Sequence, residues 1–296
     1  MSNKEMQTIQ RPDSERHEPE AHFSIMHAIG IVLLLAILEA LISLMLSLSK
    51  APMLDTSGWV NISITKVISG LLTAQAGAIL AGVSLVAILT AFNIQTKAIM
   101  PLVAGVFGIS ILSSEFSNVL QWIEPLDKAY IEAFEKLFQQ NRIGVFLTIG
   151  IVAPIFEELV FRGIILEALR DRYRISTAIF VSTLLFGVVH IFPWVVLNAF
   201  LLGLFFAWLK LETNSLPLCI IAHSLYNSLP FLFADMLPMD IPGYTALPAG
   251  AVQFQPWWFD LLGALLLFVG VTGVSAAYRT NKEGAGPFEQ NSQSSD

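Results

Sequence analysis

Side chains that could carry out acid–base chemistry occur in three short patterns in the second half of the sequence. With their spacing, the patterns are Glu157-Glu158-x-x-x-Arg162, Phe186-x-x-x-His190 and His223-x-x-x-Asn227. Carboxylates and imidazoles exchange protons, and histidine or asparagine can donate hydrogen bonds to an oxyanion. Each pattern lies in an otherwise apolar stretch, where a charge is costly. Because buried charges must be paired or hydrogen-bonded, we expect the three patterns to converge on one polar cavity.

The spacing predicts which groups share a helix face. In an α-helix, Glu158 and Arg162 lie within about 40° of each other and can form an ion pair. Glu157 points about 100° away, toward a different neighbour. One carboxylate can therefore be held charged while the other exchanges protons, as in acid–base catalysis. Asn227 shares a face with His223, and we expect it either to fix the tautomer of His223 or to join it in binding an oxyanion.

The composition explains why these charges are informative. Of the 296 residues, 55% are hydrophobic and only 13% are charged, and the mean hydropathy is +0.68. An average soluble domain carries roughly 25% charged residues. The composition excludes a soluble globular protein and a disordered one, and the net charge of −7 argues against nucleic-acid binding. It predicts a multi-pass membrane protein.

Apolar runs predict an all-α membrane bundle of about eight transmembrane helices, since a span needs about 20 apolar residues. The predicted spans are 23–48, 67–92, 101–123, 143–169, 175–191, 194–209, 216–236 and 257–277. We divide the chain into a disordered cytoplasmic tail (1–22), N-terminal transmembrane helices (23–124), an amphipathic interfacial helix (125–142), a catalytic transmembrane core (143–279) and a second disordered tail (280–296).

The loop charges predict the orientation in the membrane. An even number of spans places both tails on one side, and most of the lysines and arginines lie on that side. Lys66 is assigned to a loop on the opposite side. Cytoplasmic loops are enriched in basic residues, so we expect both termini in the cytoplasm. Separately from the loop charges, we expect the protein to lie in a bacterial inner membrane.

Together, the three patterns resemble in order and spacing the signature of the CPBP family over about residues 143–235. These are the CAAX-protease and bacteriocin-processing, or ABI-type, intramembrane proteases, related to the type II CAAX prenyl endopeptidase. The resemblance implies an endopeptidase in which Glu157, assisted by His190, activates a water while His223 and Asn227 stabilise the oxyanion. It implies a peptide or membrane-protein substrate within a lipid bilayer. The supporting residues would be Glu158, Arg162 and Phe186.

Three alternatives stay open. Glu157, His190 and His223 could hold a zinc ion with one open position; we predict no cofactor, because a glutamate–histidine pair and two donors suffice without one. A buried Glu–His chain could instead relay protons in a transporter, although the sequence has no second copy of the three patterns. The chain could also be an inactive immunity or interaction protein whose buried ion pair only joins helices.

Two isolated residues have simpler interpretations. Glu39, in the first predicted span, has no partner in the sequence pattern, and we expect a structural role against another helix or the cavity. Cys219 lies four residues before His223, so a nucleophilic thiol is conceivable. We favour a small apolar core residue, which is the usual role of a free cysteine.

Overall fold

The computed structural model describes residues 23–49, 58–90, 92–233, 237, 239–245 and 252–284. Residues 1–22 and 285–296, which hold most of the two predicted tails, lie outside the described residues. Within these ranges every regular element is helical, which confirms the all-α prediction. The helices are α1 (Ile25–Leu48), α2 (Trp59–Ala81), α3 (Leu85–Thr90), α4 (Ile99–Ile123), α5 (Lys128–Phe138), α6 (Arg142–Arg170), α7 (Ile175–Val188), α8 (Pro193–Thr213), α9 (Leu216–Phe231) and α10 (Trp257–Gly284).

Six of the described helices are long and apolar enough to cross a membrane, namely α1, α2, α4, α6, α8 and α10. Helices occupy all eight predicted positions, but α7 and α9 have only 14 and 16 residues. The expected count of about eight spans is therefore approximate. The two short helices belong to the segments that carry the predicted site histidines, and both pack against α8.

The second helix differs from its prediction at both ends. It begins at Trp59 rather than near residue 67, and it ends at Ala81 because Gly82 adopts the left-handed conformation (φ +68°) that terminates helices. Lys66 therefore lies inside α2 and not in a loop. A buried polar stripe lowers the hydropathy of this helix and hides its first turns. Its members are Asn61, Thr65, Ser69 and Thr73.

Helix α6 is irregular around its two adjacent glutamates. Two π-helical stretches, Leu147–Val152 and Leu159–Leu166, flank a short α-helical segment, Ala153–Glu158. Wide π-helical turns occur frequently at functional sites. All eight residues of the second stretch are buried, and α6 packs against α2, α7, α8 and α9. It is the central helix around which the site is built.

Glycines allow α4 and α10 to pack with their backbones in contact. A Cβ atom on Gly108 would lie 2.3 Å from the Leu267 backbone nitrogen, and one on Gly270 would lie 2.3 Å from the Gly105 Cα. Small residues at such positions are typical of closely packed membrane helices. This contact sets the distance between the two helices.

We expect Gly108→Ala to destabilise the protein by about 1–3 kcal/mol, because the added methyl group meets backbone atoms that cannot move aside. The melting temperature in detergent should fall by roughly 2–12 °C. Gly30→Ala in α1 is the matched control, since nothing lies within 4 Å of a Cβ there. Equal melting temperatures for the two variants would contradict the close packing of α4 on α10.

Candidate active site

A fully buried ion pair forms one side of the site. Nη1 of Arg162 donates to Oε1 of Glu158 at 2.9 Å, and both side chains have no solvent-exposed surface. Nη2 of the same arginine donates to the Gly203 carbonyl on α8 at 3.2 Å. The guanidinium also lies 4.3 Å from the centroid of the Phe186 ring. The predicted Glu158–Arg162 pair is present, and it joins α6 to α7 and α8.

His223 lies between the two glutamates. Its Nδ1 is 2.8 Å from Oε1 of Glu158, and its Nε2 is 3.8 Å from Oε2 of Glu157. Oε1 of Glu158 accepts from Arg162, and we take it to accept from His223 as well, so Nδ1 of His223 carries the hydrogen. The tautomer of His223 is therefore set by Glu158 and not by Asn227. Phe206 stacks on the imidazole with ring centroids 4.7 Å apart.

His190 follows the end of α7, and its orientation is set by the residue one turn earlier. Its Nδ1 is 2.9 Å from the carbonyl oxygen of Phe186. Since a carbonyl only accepts, Nδ1 donates, and Nε2 of a neutral His190 keeps its lone pair. The Phe186 ring packs edge-on against both histidines, at centroid distances of 5.2 Å and 5.8 Å. Phe186 thereby holds His190, His223 and Arg162 in one cluster.

Asn227 connects α9 to the first π-helical stretch of α6. Its Nδ2 donates to the carbonyl oxygen of Ile149 at 3.0 Å. The side-chain amide has two N–H groups, so the second can serve another acceptor. Asn227 therefore both ties the two helices together and keeps a donor on the face of α9 that it shares with His223.

Sequence reasoning missed Lys66 as a site residue. Its Nζ lies 2.9 Å from Oε1 of Glu39 on α1 and 3.5 Å from Oε1 of Glu157 on α6. The signal was available, because a glutamate in an apolar span requires a cation nearby, and Lys66 borders the next apolar run. Six ionisable side chains thus form one series across four helices: Glu39, Lys66, Glu157, His223, Glu158 and Arg162.

The alternative zinc site requires Glu157, His190 and His223 to face one ion. In the part of the chain that the structure describes, no three His, Cys, Asp or Glu side chains are placed to hold one metal ion. Glu157, His190 and His223 therefore do not form a ready-made ligand set. Cys219 is fully buried in an apolar cluster, and its thiol lies 3.4 Å from the Ser215 carbonyl, which agrees with the core role expected for it.

The fold and the site describe a multi-pass helical membrane protein with a buried acid–base centre. Residues 139–229 match the model of the Rce1-like family, described as type II CAAX prenyl endopeptidase Rce1-like. This region includes all of α6, α7 and α8 and nearly all of α9, with every residue of the three patterns. The resemblance to the CAAX endopeptidases is confirmed over it.

One curated protein supports the same relationship. The chain is 35% identical over 79 residues to the "Putative membrane peptidase YdiL" of Bacillus subtilis (strain 168). The aligned stretch is 27% of this chain and 32% of that protein, so the chain spans about a third of the length of the relative. No solved structure is significantly similar to the chain.

Proposed function

We propose that the protein is an intramembrane endopeptidase in which a water molecule, activated by Glu157, hydrolyses a peptide bond. The observation that carries this proposal is the placement of Glu157, which is the one of the two adjacent carboxylates that Arg162 does not hold. Its Oε2 faces Nε2 of His223 at 3.8 Å, while Glu158 is committed to Arg162. The two carboxylates therefore have different environments, as acid–base catalysis requires.

Each group has a defined part in the reaction. Glu157 takes a proton from water, assisted by the Nε2 lone pair of His190, and the hydroxide adds to the carbonyl carbon. His223 with hydrogen on both nitrogens donates from Nε2 to the oxyanion, and the second amide N–H of Asn227 donates beside it. The C–N bond then breaks as Glu157 returns its proton to the leaving amine, which yields a carboxylic acid and an amine; the acid then passes its proton to the amine or to solvent. Glu158 compensates the charge of His223 when both of its nitrogens carry hydrogen.

A cleft between α4, α5 and α8 supports a peptide as the substrate. Among the described residues, Nε1 of Trp194 and Oδ1 of Asn198 are buried and have no hydrogen-bond partner. A free donor beside a free acceptor complements the carbonyl and N–H of a peptide group. The cleft is lined by Ser117, Gln121, Leu126, Tyr130, Phe134, Trp194, Val195 and Asn198.

The transporter alternative fits the series of charges less well. A proton path needs groups that gain and lose protons along its length, but the series ends at Arg162, which stays charged and has no exposed surface.

The position of Lys66 inside α2 removes one positive charge from the loops assigned to the outer side. That change supports cytoplasmic termini in an inner membrane.

We expect His190→Ala to lower the rate of peptide hydrolysis about 10²–10⁴-fold, because the carboxylate loses the imidazole that shares its proton. The purified protein in liposomes should be offered peptides with CAAX ends, with and without a prenyl group, and transmembrane peptides. Products are identified by mass spectrometry. Ile191→Ala, at the neighbouring exposed position, is the control. Cleavage at the same rate by the His190 variant would contradict the assigned role.

The same assay separates the metal-free mechanism from the zinc alternative. We propose that no metal is required, so a strong chelator should leave the rate unchanged. Loss of cleavage on chelation, followed by recovery on adding zinc, would overturn this part of the proposal while leaving the peptidase activity intact.

A further inference from the structure

We propose that Lys66 is a positioning residue for Glu157 and that Glu39 holds Lys66 in place. This role deepens the proposed function, since it presupposes that Glu157 is the base of a peptidase. Both residues lie outside the matched region 139–229, on the N-terminal helices α1 and α2. The N-terminal helix pair would then complete the site rather than only surround it.

The geometry gives each oxygen of Glu157 a separate neighbour. Oε1 faces Nζ of Lys66 at 3.5 Å, and Oε2 faces Nε2 of His223 at 3.8 Å. With hydrogen on Nε2 of His223, as the proposed oxyanion role requires, a positively polarised group faces each oxygen, and the two groups restrict rotation of the carboxylate about its last side-chain bond. Lys66 thereby directs the Oε2 atom toward His223, where the proposed chemistry takes place.

The balance of charge leads to the same role. Arg162 neutralises Glu158, which leaves Lys66 as the cation that faces both Glu39 and Glu157. A carboxylate in an apolar bundle without a cation becomes protonated or destabilises the fold. A protonated Glu157 could not accept a proton from water. Lys66 is therefore needed to keep the base in its active form.

Glu39 holds the ammonium group of Lys66 in position. Lys66 lies 2.9 Å from Glu39 and 3.5 Å from Glu157, so the ammonium is held mainly by α1. The side-chain exposures fall from 29% at Glu39 and 26% at Lys66 to 12% at Glu157. The ammonium is thus anchored at the more open end of the series and reaches inward toward the base.

A competing explanation is that the Glu39–Lys66 pair only joins α1 to α2. The two explanations differ for the double variant Glu39→Gln/Lys66→Met, which removes the pair without leaving either charge alone. If the pair only joins helices, the double variant recovers both stability and activity relative to Lys66→Met. If Lys66 positions Glu157, the double variant recovers only the stability lost at Glu39, and kcat stays at least about 100-fold below the wild type with KM little changed.

The kinetic experiment compares Lys66→Met, Lys66→Arg and the double variant with the wild type on a peptide that the wild type cleaves. Lys66→Arg keeps the positive charge and should retain most of the activity. Lys128→Met, which removes an exposed lysine of α5, is the control for loss of a cation. A double variant with wild-type kcat would overturn the proposal. If Glu157→Gln were fully active, the proposed function itself would fail instead.

A second measurement needs no substrate. The melting temperatures of Lys66→Met, Glu157→Gln and the combined variant form a double-mutant cycle that reports direct coupling between the two side chains. We expect the combined shift to differ from the sum of the single shifts by at least about 2 °C. Additive shifts would overturn the Lys66–Glu157 interaction whatever the activity of the protein.

Discussion

Replacing Glu157 by glutamine should lower the rate of peptide hydrolysis about 10³-fold or more, the largest loss of activity that we expect from any single substitution. An amide cannot take a proton from water, so the attacking hydroxide is no longer formed. Glutamine has nearly the same shape as glutamate, and its carbonyl oxygen can still accept from Lys66. The fold should therefore persist, with a melting temperature close to that of the wild type.

The measurement is the single-turnover rate in liposomes, with the helical content and melting temperature recorded on the same samples. Glu132→Gln provides the control, because Glu132 is an exposed glutamate of α5. A folded Glu157→Gln variant that keeps more than a tenth of the wild-type rate would show that another group is the base. His190, whose Nε2 keeps a lone pair in the neutral ring, would then be the next residue to test.

Replacing Arg162 by methionine should destabilise the protein by about 3–5 kcal/mol, the largest structural effect that we expect. The guanidinium has no exposed surface, and its loss leaves the Glu158 carboxylate buried without its cation. The bond to the Gly203 carbonyl and the contact with Phe186 are lost at the same time. The melting temperature in detergent should fall by roughly 10 °C.

Two further variants test whether the uncompensated charge of Glu158 causes the loss of stability in Arg162→Met. The double variant Glu158→Gln/Arg162→Met removes both charges and should be more stable than Arg162→Met alone. Arg170→Met breaks an Arg–Glu pair with Glu167 at the end of the same helix, where the arginine is 38% exposed, and should cost at most about 1 kcal/mol. Equal shifts in melting temperature for Arg162→Met and Arg170→Met would contradict the prediction that breaking the buried pair destabilises the protein more than breaking the exposed one.

The contacts that were predictable from the sequence are those within one helix. The four-residue spacing of Glu158 and Arg162 was enough to predict their ion pair, and the 100° step predicted that Glu157 would face a different neighbour. Contacts between helices could not be predicted in the same way. The bond of His223 to Glu158, and that of Asn227 to the Ile149 carbonyl, depend on how α9 is placed along the irregular helix α6.

Lys66 illustrates the limit of reading hydropathy along the chain. Hydropathy averages over all faces of a helix, so the buried polar stripe of α2 made its first two turns resemble a loop. A lysine at the apparent edge of a loop looks solvated. Only the packing of α1, α2 and α6 shows that its ammonium lies between two carboxylates. The sequence was enough to predict the general location of the site, but not that Glu39 on α1 and Lys66 on α2 belong to it.

The shortness of α7 bears on how water reaches a site inside a membrane. Its 14 residues rise about 21 Å, whereas the hydrocarbon core of a bilayer is about 30 Å thick. His190 follows the end of this helix, in a turn whose next residue, Ile191, has a left-handed backbone (φ +67°) and a largely exposed side chain. Lipids beside such a helix thin locally to meet it. The histidine would then border a depression in the membrane surface, through which the bulk solvent supplies the water that each turnover consumes.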